Sequence, residues 1–149
     1  MITEGVQHTL TVLYPLYKEE VYRRREQMMR LTAFGSLGLI AMLFALLLSP
    51  QKNSLTSFDT LFIGLASLVW CGLFCSLILQ QQHRHRLAKQ VLVQLEQALG
   101  FYEEGLVAEH QTLYPEGWKT AWLSDRSGTL YFTALGLLTG LFLLALLFS

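Results

Sequence analysis

Three uninterrupted apolar blocks dominate the pattern of hydrophobic and polar positions along the chain. They cover residues 31–48, 61–79 and 130–148, and none of them contains Lys, Arg, Asp, Glu or His. Each block is 18 or 19 residues long, which is close to the ~20 residues that a helix needs to cross ~30 Å of hydrocarbon. The pattern therefore predicts three transmembrane helices in an all-α integral membrane protein.

The polar segments 1–30 and 80–129 carry apolar side chains at three- and four-residue spacing, which is typical of amphipathic helices. We expect both segments to extend the neighbouring spans, with Lys89 and Glu96 on the polar side of the second. Because the connection between the first two spans is short, these spans form a predicted hairpin whose extensions meet as a helical stalk. The predicted stalk and assembly residues are Leu13, Tyr17, Val21, Met28, Leu87, Val91, Leu95, Leu99 and Tyr102.

Proline positions set the expected ends of the first long helix. Pro15 has no N–H to donate, so we expect this helix to begin near Tyr14 or Pro15, with Thr11 as a possible cap. The Ser49-Pro50 pair is expected to end it.

Glycines weaken the second extension near Gly100 and Gly105, and residues 114–117 (Tyr-Pro-Glu-Gly) predict a turn before a short helix at 118–123. Leu-Tyr-Pro occurs at 13–15 and again at 113–115, which is too short an echo to indicate a repeat. The predicted organisation is an N-terminal cytoplasmic helix at 1–30, spans at 31–48, 61–79 and 130–149, an external loop at 49–60, and a cytoplasmic helical segment with a Trp-containing interfacial turn at 80–129.

Basic residues set the expected orientation. Of the 11 Lys and Arg residues, only Lys52 lies in the 49–60 loop. By the positive-inside rule the N-terminus is cytoplasmic and Ser149 lies outside, and we expect a bacterial inner membrane. Contact with lipid headgroups, or an orienting role, is expected for Arg23, Arg24, Arg25, Arg30, Arg84, Arg86, Trp118 and Trp122.

Composition supports a membrane protein and argues against several functions. Hydrophobic residues make up 52% of the chain and charged residues 15%, with a mean hydropathy of +0.38, whereas soluble domains carry about 25% charged residues. The formal net charge is zero, which lacks the basic excess of a nucleic-acid binder. No nucleic-acid partner is therefore expected.

Motifs for catalysis are absent from the sequence: there is no phosphate-binding, dinucleotide-binding, zinc-protease or serine-hydrolase signature. No ionisable residue lies within a span, which disfavours charge-driven transport. Cys71 and Cys75 offer only two sulfurs, and His83 and His85 point to different sides of a helix, so neither pair favours a metal site. We therefore expect no enzymatic activity and no cofactor.

Small residues follow one another at helical spacing within the spans. Such rows let helix backbones approach closely where lipid removes the hydrophobic driving force. The predicted helix-packing residues are Gly35, Gly38, Ala41, Ala45, Gly64, Ser67, Cys71, Cys75, Gly136 and Gly140. The pattern does not decide whether they face a helix of the same chain or of another.

Five features together resemble a known group of proteins: the runs 16–21 (Leu-Tyr-Lys-Glu-Glu-Val), 86–92 (Arg-Leu-Ala-Lys-Gln-Val-Leu) and 95–99 (Leu-Glu-Gln-Ala-Leu), with Arg24-Arg25 and Trp118. In these features the chain resembles the RipA-like octameric membrane proteins and, more loosely, the SLATT-type two-span modules of bacterial conflict systems. The resemblance implies a helix before a transmembrane hairpin and assembly into a membrane-damaging pore. The chain departs from these families in its third span.

Two hypotheses of function follow. The first is a self-assembling membrane protein, whose packed helical hairpins act as a pore, a scaffold or a membrane-perturbing effector. The balanced charge of the stalk favours this homo-oligomer. The alternative is a small accessory subunit of a larger membrane complex, for example a respiratory or photosynthetic one, which the low charge favours equally.

Overall fold

The computed structural model describes residues 4–49, 56–108, 111–119 and 127–148. Three long helices form most of it: α1 (Glu4–Leu48), α2 (Ser57–Ala98) and α3 (Ser127–Leu147). All three are long and apolar enough to cross a membrane, which confirms the three predicted apolar helices. Two short strands, β1 (Glu104–Ala108) and β2 (Gln111–Thr112), lie between α2 and α3.

The chain divides into two compact units. The polar unit comprises Met1–Glu26 and Gln82–Arg126, and the apolar unit comprises Gln27–Gln81 and Ser127–Ser149. The apolar unit contains the three charge-free blocks of the sequence, and the polar unit contains most of the charged residues.

Helices α1, α2 and α3 pack together in the apolar unit around two buried clusters. Leu39, Ile78 and Leu135 each come from a different helix and form the first cluster. The second cluster joins Leu46 of α1 to Phe142 and Leu146 of α3, with Ile63 of α2 packed against it in a half-buried position. Each helix therefore buries one side against the other two.

Close approach of α1 to α2 depends on glycine. A Cβ atom at Gly38 would lie 2.5 Å from Cζ2 of Trp70, and one at Gly35 would lie 2.9 Å from Cγ of Phe74. The Trp70 indole N–H donates a 3.2 Å hydrogen bond to the carbonyl oxygen of Gly35. Only a residue without a side chain leaves room for these two rings, so the small-residue pattern of α1 has a direct steric reason.

Both ends of α2 have recognisable caps. Thr56 and Asp59 form a capping box: the Thr56 backbone N–H donates to the Asp59 carboxylate at 3.1 Å, and the Asp59 N–H donates to Oγ1 of Thr56 at 3.2 Å. At the other end Gly100 has a φ of 76°. The Phe101 N–H donates to the Glu96 carbonyl and the Gly100 N–H to the Gln97 carbonyl, both at 3.0 Å, which is a Schellman motif.

The polar unit has its own small core. Val21 of α1 packs against Ala88 and Leu92 of α2, with Tyr14 and Tyr17 at its edge. Beyond the α2 cap, strands β1 and β2 pair in an antiparallel sheet, with Glu104 opposite Thr112. The sequence analysis predicted helix and turns here and did not predict these strands.

The expected start of the first helix near Tyr14 or Pro15 is wrong. Helix α1 is already helical at Glu4 and contains Pro15 in its interior. A proline inside a helix removes one backbone hydrogen bond, but tertiary packing, here that of the neighbouring Tyr14 in the polar unit, routinely overrides local helix propensity. The expected end is confirmed, because α1 stops at Leu48, just before Ser49-Pro50.

The predicted orientation of the α2 extension is confirmed at Leu95, which is buried, and wrong at three other positions. Leu87 is 49% exposed, whereas Lys89 and Glu96, which were expected on the polar side, are 8% and 5% exposed. The buried side of this part of α2 follows Ala88 and Leu92 instead. Apolar spacing alone favoured a stripe one residue away, because the buried side here includes charged and polar side chains.

Candidate functional site

Glu96 is a buried carboxylate at the end of α2. Its position is fixed by the cap, because its own carbonyl accepts the hydrogen bond from the Phe101 N–H. The carboxylate accepts a 2.7 Å hydrogen bond at Oε2 from the Tyr102 hydroxyl, and a longer one of 3.4 Å at Oε1 from Tyr14. A charged group at 5% exposure is uncommon in proteins unless it is paired.

The tyrosine hydroxyls around Glu96 are held in their protonated form. Burial raises the pKa of Tyr14, and its hydrogen bond to Tyr114 and the charge of Glu96 act in the same direction. Burial also raises the pKa of Tyr102, and the hydrogen bond to Glu96 raises it further. A tyrosinate next to a carboxylate would be repelled, so these hydroxyls remain hydrogen-bond donors.

Aromatic rings surround these hydroxyls. Phe101 meets Tyr14 and Tyr114 edge to face, with ring centroids 5.3 and 5.6 Å apart. Trp118 stacks on Tyr114 with centroids 5.5 Å apart, and the Lys119 ammonium lies 4.7 Å from the centroid of the Tyr102 ring. Offset and edge-to-face pairs at these distances are favourable, so the cluster ties the chain after α2 to α1.

A pocket of about 190 Å³ opens beside this cluster. Its lining side chains, which we call the aromatic pocket, are Tyr14, Lys18, Tyr22, Glu96, Tyr114 and Trp118. Four of the six are aromatic, one is a buried acid and one is a base. The Lys18 ammonium lies 5.6 Å from the centroid of the Tyr14 ring, near the outer limit of a cation–π contact.

The side chains of this pocket are suited to recognition of a ligand. Within the described ranges, no three His, Cys, Asp or Glu side chains come together as a metal site. The pocket presents hydroxyls, rings, one carboxylate and one ammonium. Aromatic faces beside a carboxylate are the features with which proteins hold organic cations.

The predicted stalk residues are divided between buried and exposed positions. Val21, Met28 and Leu95 are buried, and Leu87 is exposed. The remaining predicted stalk residues lie in half-buried positions; they are Leu13, Tyr17, Val91, Leu99 and Tyr102. Of the whole set, only Tyr102 contacts Glu96 through a hydrogen bond.

The predicted headgroup residues lie mostly at exposed positions, with one exception among the arginines. Arg24 is half-buried and pairs with Glu20, while Arg23 pairs with Glu19 at 2.7 Å. These ion pairs lie within α1. The exposed arginines are Arg23, Arg25, Arg30, Arg84 and Arg86.

Trp118 and Trp122 were predicted as membrane-interface anchors. Trp118 is 46% exposed and packs on Tyr114. Trp122 lies outside the described residues, as does most of the predicted helix at 118–123, of which residues 118 and 119 are helical.

The predicted small packing residues also fall into two groups. Gly35 and Ser67 are buried, and Gly38, Gly64, Cys71 and Cys75 are half-buried. Ala41, Ala45, Gly136 and Gly140 are exposed. The Cys71 and Cys75 sulfur atoms lie 4.0 Å apart, and both residues are free cysteines. The first group therefore packs inside the protomer, and the second leaves small-residue faces open.

Sequence reasoning missed the aromatic pocket. Glu96 was expected on the polar side of the second extension, and neither Tyr14 nor Tyr114 was selected as a site residue. One signal was present, because both tyrosines are the centre of a Leu-Tyr-Pro sequence and their hydroxyl oxygens lie 3.2 Å apart. Trp70 was missed as well, since an indole inside an apolar block has no periodic signature.

Comparison with protein-family models, with curated proteins and with solved structures finds no match for this chain. The resemblance to the RipA-like and SLATT-type proteins therefore stays a prediction.

Proposed function

We propose that the chain is a non-enzymatic, self-assembling membrane protein, and that its copies associate through α3 into a homo-oligomer that acts as a pore, scaffold or membrane-perturbing effector. In this proposal the three apolar helices span a bacterial inner membrane, with the N-terminus in the cytoplasm and the C-terminus outside. The lipid bilayer and other copies of the chain are its partners.

The outer face of α3 is the observation that carries the proposal. Cβ atoms at Gly136 and Gly140 would meet no atom within 4 Å in the described part of the chain. A different side of α3 is buried through Leu135, Thr139, Phe142 and Leu146. The Gly-x-x-x-Gly motif is therefore not used for packing within the protomer, although it is the motif that best permits a second helix backbone to approach.

The pairing of α1 with α2 supports the proposed hairpin. Near the start of the apolar unit Gly35 lies against Phe74, and further along α1 Leu46 shares a cluster with Ile63. These contacts move toward the C-terminus of α1 and toward the N-terminus of α2, which is the arrangement of two antiparallel helices. Since the glycine contacts in this pair are already filled by Trp70 and Phe74, the open face of α3 remains for assembly.

The distribution of positive charge supports the proposed orientation. Lys52 is the only basic residue between the first two apolar blocks, out of 11 in the chain. Loops that stay in the cytoplasm carry the excess of Lys and Arg. The polar unit, with its aromatic pocket, is therefore assigned to the cytoplasm.

The native mass of the protein expressed alone and extracted in mild detergent tests the proposal. We expect a discrete homo-oligomer. A Gly136→Leu and Gly140→Leu double variant should shift the mass toward the protomer, since leucine side chains keep the backbones apart. Both side chains would enter open space, so the protomer should still fold, which circular dichroism checks.

Gly72 provides a matched control, because a Cβ there also meets no atom within 4 Å but the residue lies on α2. Gly72→Leu should leave the oligomer unchanged. An oligomer that persists in the double variant contradicts assembly through α3. A wild-type chain that is monomeric alone and enters a complex only with host proteins overturns self-assembly in favour of an accessory subunit.

A further inference from the structure

We propose that the aromatic pocket binds a small organic ammonium group, with Glu96 as its counter-ion and the rings of Tyr14, Tyr114 and Trp118 as its walls. This inference does not depend on the proposed assembly through α3, since it concerns only residues of the polar unit. The ligand class is a primary to quaternary alkylammonium, either free or carried by a lipid headgroup.

The charge of Glu96 is the first argument. Its hydrogen-bond partners in the described part of the chain are tyrosine hydroxyls, which are neutral donors. No ion pair to Glu96 occurs among the described residues. A buried carboxylate is unfavourable unless a cation pairs with it. The Lys18 ammonium lines the same cavity but lies over the Tyr14 ring, so Glu96 is positioned to receive a cation from outside the chain.

The walls are the second argument. Trp118 stacks on Tyr114, and both line the cavity together with Tyr14 and Tyr22. Aromatic faces attract cations through the ring quadrupole, and sets of such rings recognise quaternary ammonium groups. An anion would be repelled by the Glu96 carboxylate, and Lys18 is the one basic side chain of the lining that would attract it.

The size of the cavity is the third argument. At about 190 Å³ it is smaller than the ~300–1,000 Å³ of pockets for metabolite-sized ligands. This volume suits a small ammonium group better than a nucleotide or a haem. Trp118 is 46% exposed, so the pocket opens to solvent and an ammonium can enter without unfolding the core.

The charge of Lys18 should affect cation binding in the direction opposite to the charge of Glu96. Its ammonium is at 5.6 Å from the Tyr14 ring and competes with an incoming cation for the same wall. Removing its charge should strengthen cation binding, whereas removing the charge of Glu96 should weaken it. An anion site would respond to both changes in the reverse direction.

Calorimetric titration of the full chain in an alkyl maltoside, which has no charged headgroup, tests the proposal. The probes are choline and 3,3-dimethylbutan-1-ol, which has the same shape with carbon in place of the charged nitrogen. We expect choline to bind about tenfold more tightly than the neutral analogue, which corresponds to one charge-assisted contact. Equal affinities, or no binding of choline, overturn the proposal.

Four variants complete the test. Glu96→Gln should weaken choline binding about tenfold, while Lys18→Met, which keeps the aliphatic stem, should strengthen it about threefold. Glu103→Gln removes an exposed carboxylate seven residues away and should change nothing. Glu96→Gln could disturb the C-terminal cap of α2, so a second variant changes only an aromatic wall of the pocket. Trp118→Leu should weaken the binding of choline more than the binding of 3,3-dimethylbutan-1-ol. Unchanged choline affinity in both Glu96→Gln and Trp118→Leu refutes the site.

Nanodiscs distinguish the two sources of the ammonium group. If lipid headgroups occupy the pocket, free choline should bind in phosphatidylglycerol nanodiscs and lose its binding in phosphatidylcholine nanodiscs. Equal binding in both assigns a soluble ammonium compound. If the native mass changes with none of these ligands, that result does not bear on assembly through α3, which the glycine variants test. The two proposals can therefore fail independently.

Discussion

The hydroxyl oxygens of Tyr14 and Tyr114 lie 3.2 Å apart, although 100 residues separate them in the sequence. Both residues stand at the centre of a Leu-Tyr-Pro motif, and Phe101 packs edge to face against both rings. This hydrogen-bonded pair holds the chain after α2 against the N-terminal part of α1. The same pair forms part of the aromatic pocket, so the stability of the polar unit and the shape of its cavity depend on the same contacts.

Removing one hydroxyl of this pair should loosen the polar unit. We expect Tyr114→Phe to destabilise the native contacts by about 1 kcal/mol, the typical net value of a hydrogen bond. The ring contacts with Phe101 and Trp118 remain in this variant. Hydrogen exchange of the amides in residues 99–104 measures the effect as faster exchange. Tyr22→Phe, at a 56% exposed position, is the control, and equal exchange in the two variants would rule out a stabilising role for the hydroxyl pair.

The raised pKa values of Tyr14 and Tyr102 predict alkaline sensitivity of the polar unit. An unfolded tyrosine titrates near pH 10, at about its ordinary value. Because the folded state holds these two protons more tightly, their stabilisation is complete below about pH 10 and is lost as the pH rises further. Tyrosinate absorbance should show a late step that disappears in a Tyr14→Phe and Tyr102→Phe variant. A titration that ends near pH 10 in the wild type would contradict the raised pKa values.

How much the sequence reveals depends on the segment. In the apolar blocks the absence of any charge over 18 or 19 residues predicts apolar helices, and the structure confirms three of them. Their full lengths are not set by the blocks, because α1 has 45 residues and α2 has 42. The ends are also readable where backbone chemistry is strict, as at Gly100, whose φ of 76° favours glycine.

The polar unit was harder to predict, because tertiary contacts decide it. Apolar periodicity selected Leu87 and assigned Glu96 to solvent, yet the structure exposes the first and buries the second. A carboxylate is buried here because Tyr14 and Tyr102 arrive from other parts of the chain to donate hydrogen bonds. No local pattern around residue 96 contains that information.

Replacing Gly38 by alanine should create a steric clash inside the apolar unit. The added Cβ would lie 2.5 Å from the Trp70 ring, so the indole must shift and its hydrogen bond to the Gly35 carbonyl should break. We expect a loss of about 1–3 kcal/mol, as for other overpacked interiors. Thermal aggregation in detergent should begin at a lower temperature than in wild type. Gly72→Ala is the matched control, and a loss of the same size in both variants would attribute the effect to the helix backbone in general.

Leu92 identifies the buried side of the α2 extension. It is 1% exposed and packs with Val21 and Ala88, so Leu92→Ala should destabilise the polar unit by about 2–5 kcal/mol. Leu87→Ala, at a position that is 49% exposed, should change stability by no more than about 0.5 kcal/mol. Hydrogen exchange of α2 amides in residues 85–98 measures both. A larger loss of stability in Leu87→Ala than in Leu92→Ala would support the buried stripe that apolar spacing predicted.

The proposed orientation makes the two chain ends behave differently as fusion sites. With the N-terminus in the cytoplasm and an odd number of spans, a fluorescent protein fused at the N-terminus should be bright, and alkaline phosphatase fused at the C-terminus should be active, because it folds only outside.

Replacing Arg23, Arg24 and Arg25 by Gln removes three of the basic residues that precede the first span, and should produce a measurable fraction of inverted protein. The Glu19–Arg23 and Glu20–Arg24 pairs are exposed or half-exposed and contribute little to folding, so the variant tests orientation with little effect on stability. Active phosphatase at both ends in the wild type would refute a single orientation, and an active N-terminal fusion alone would reverse the assignment of the aromatic pocket to the cytoplasm.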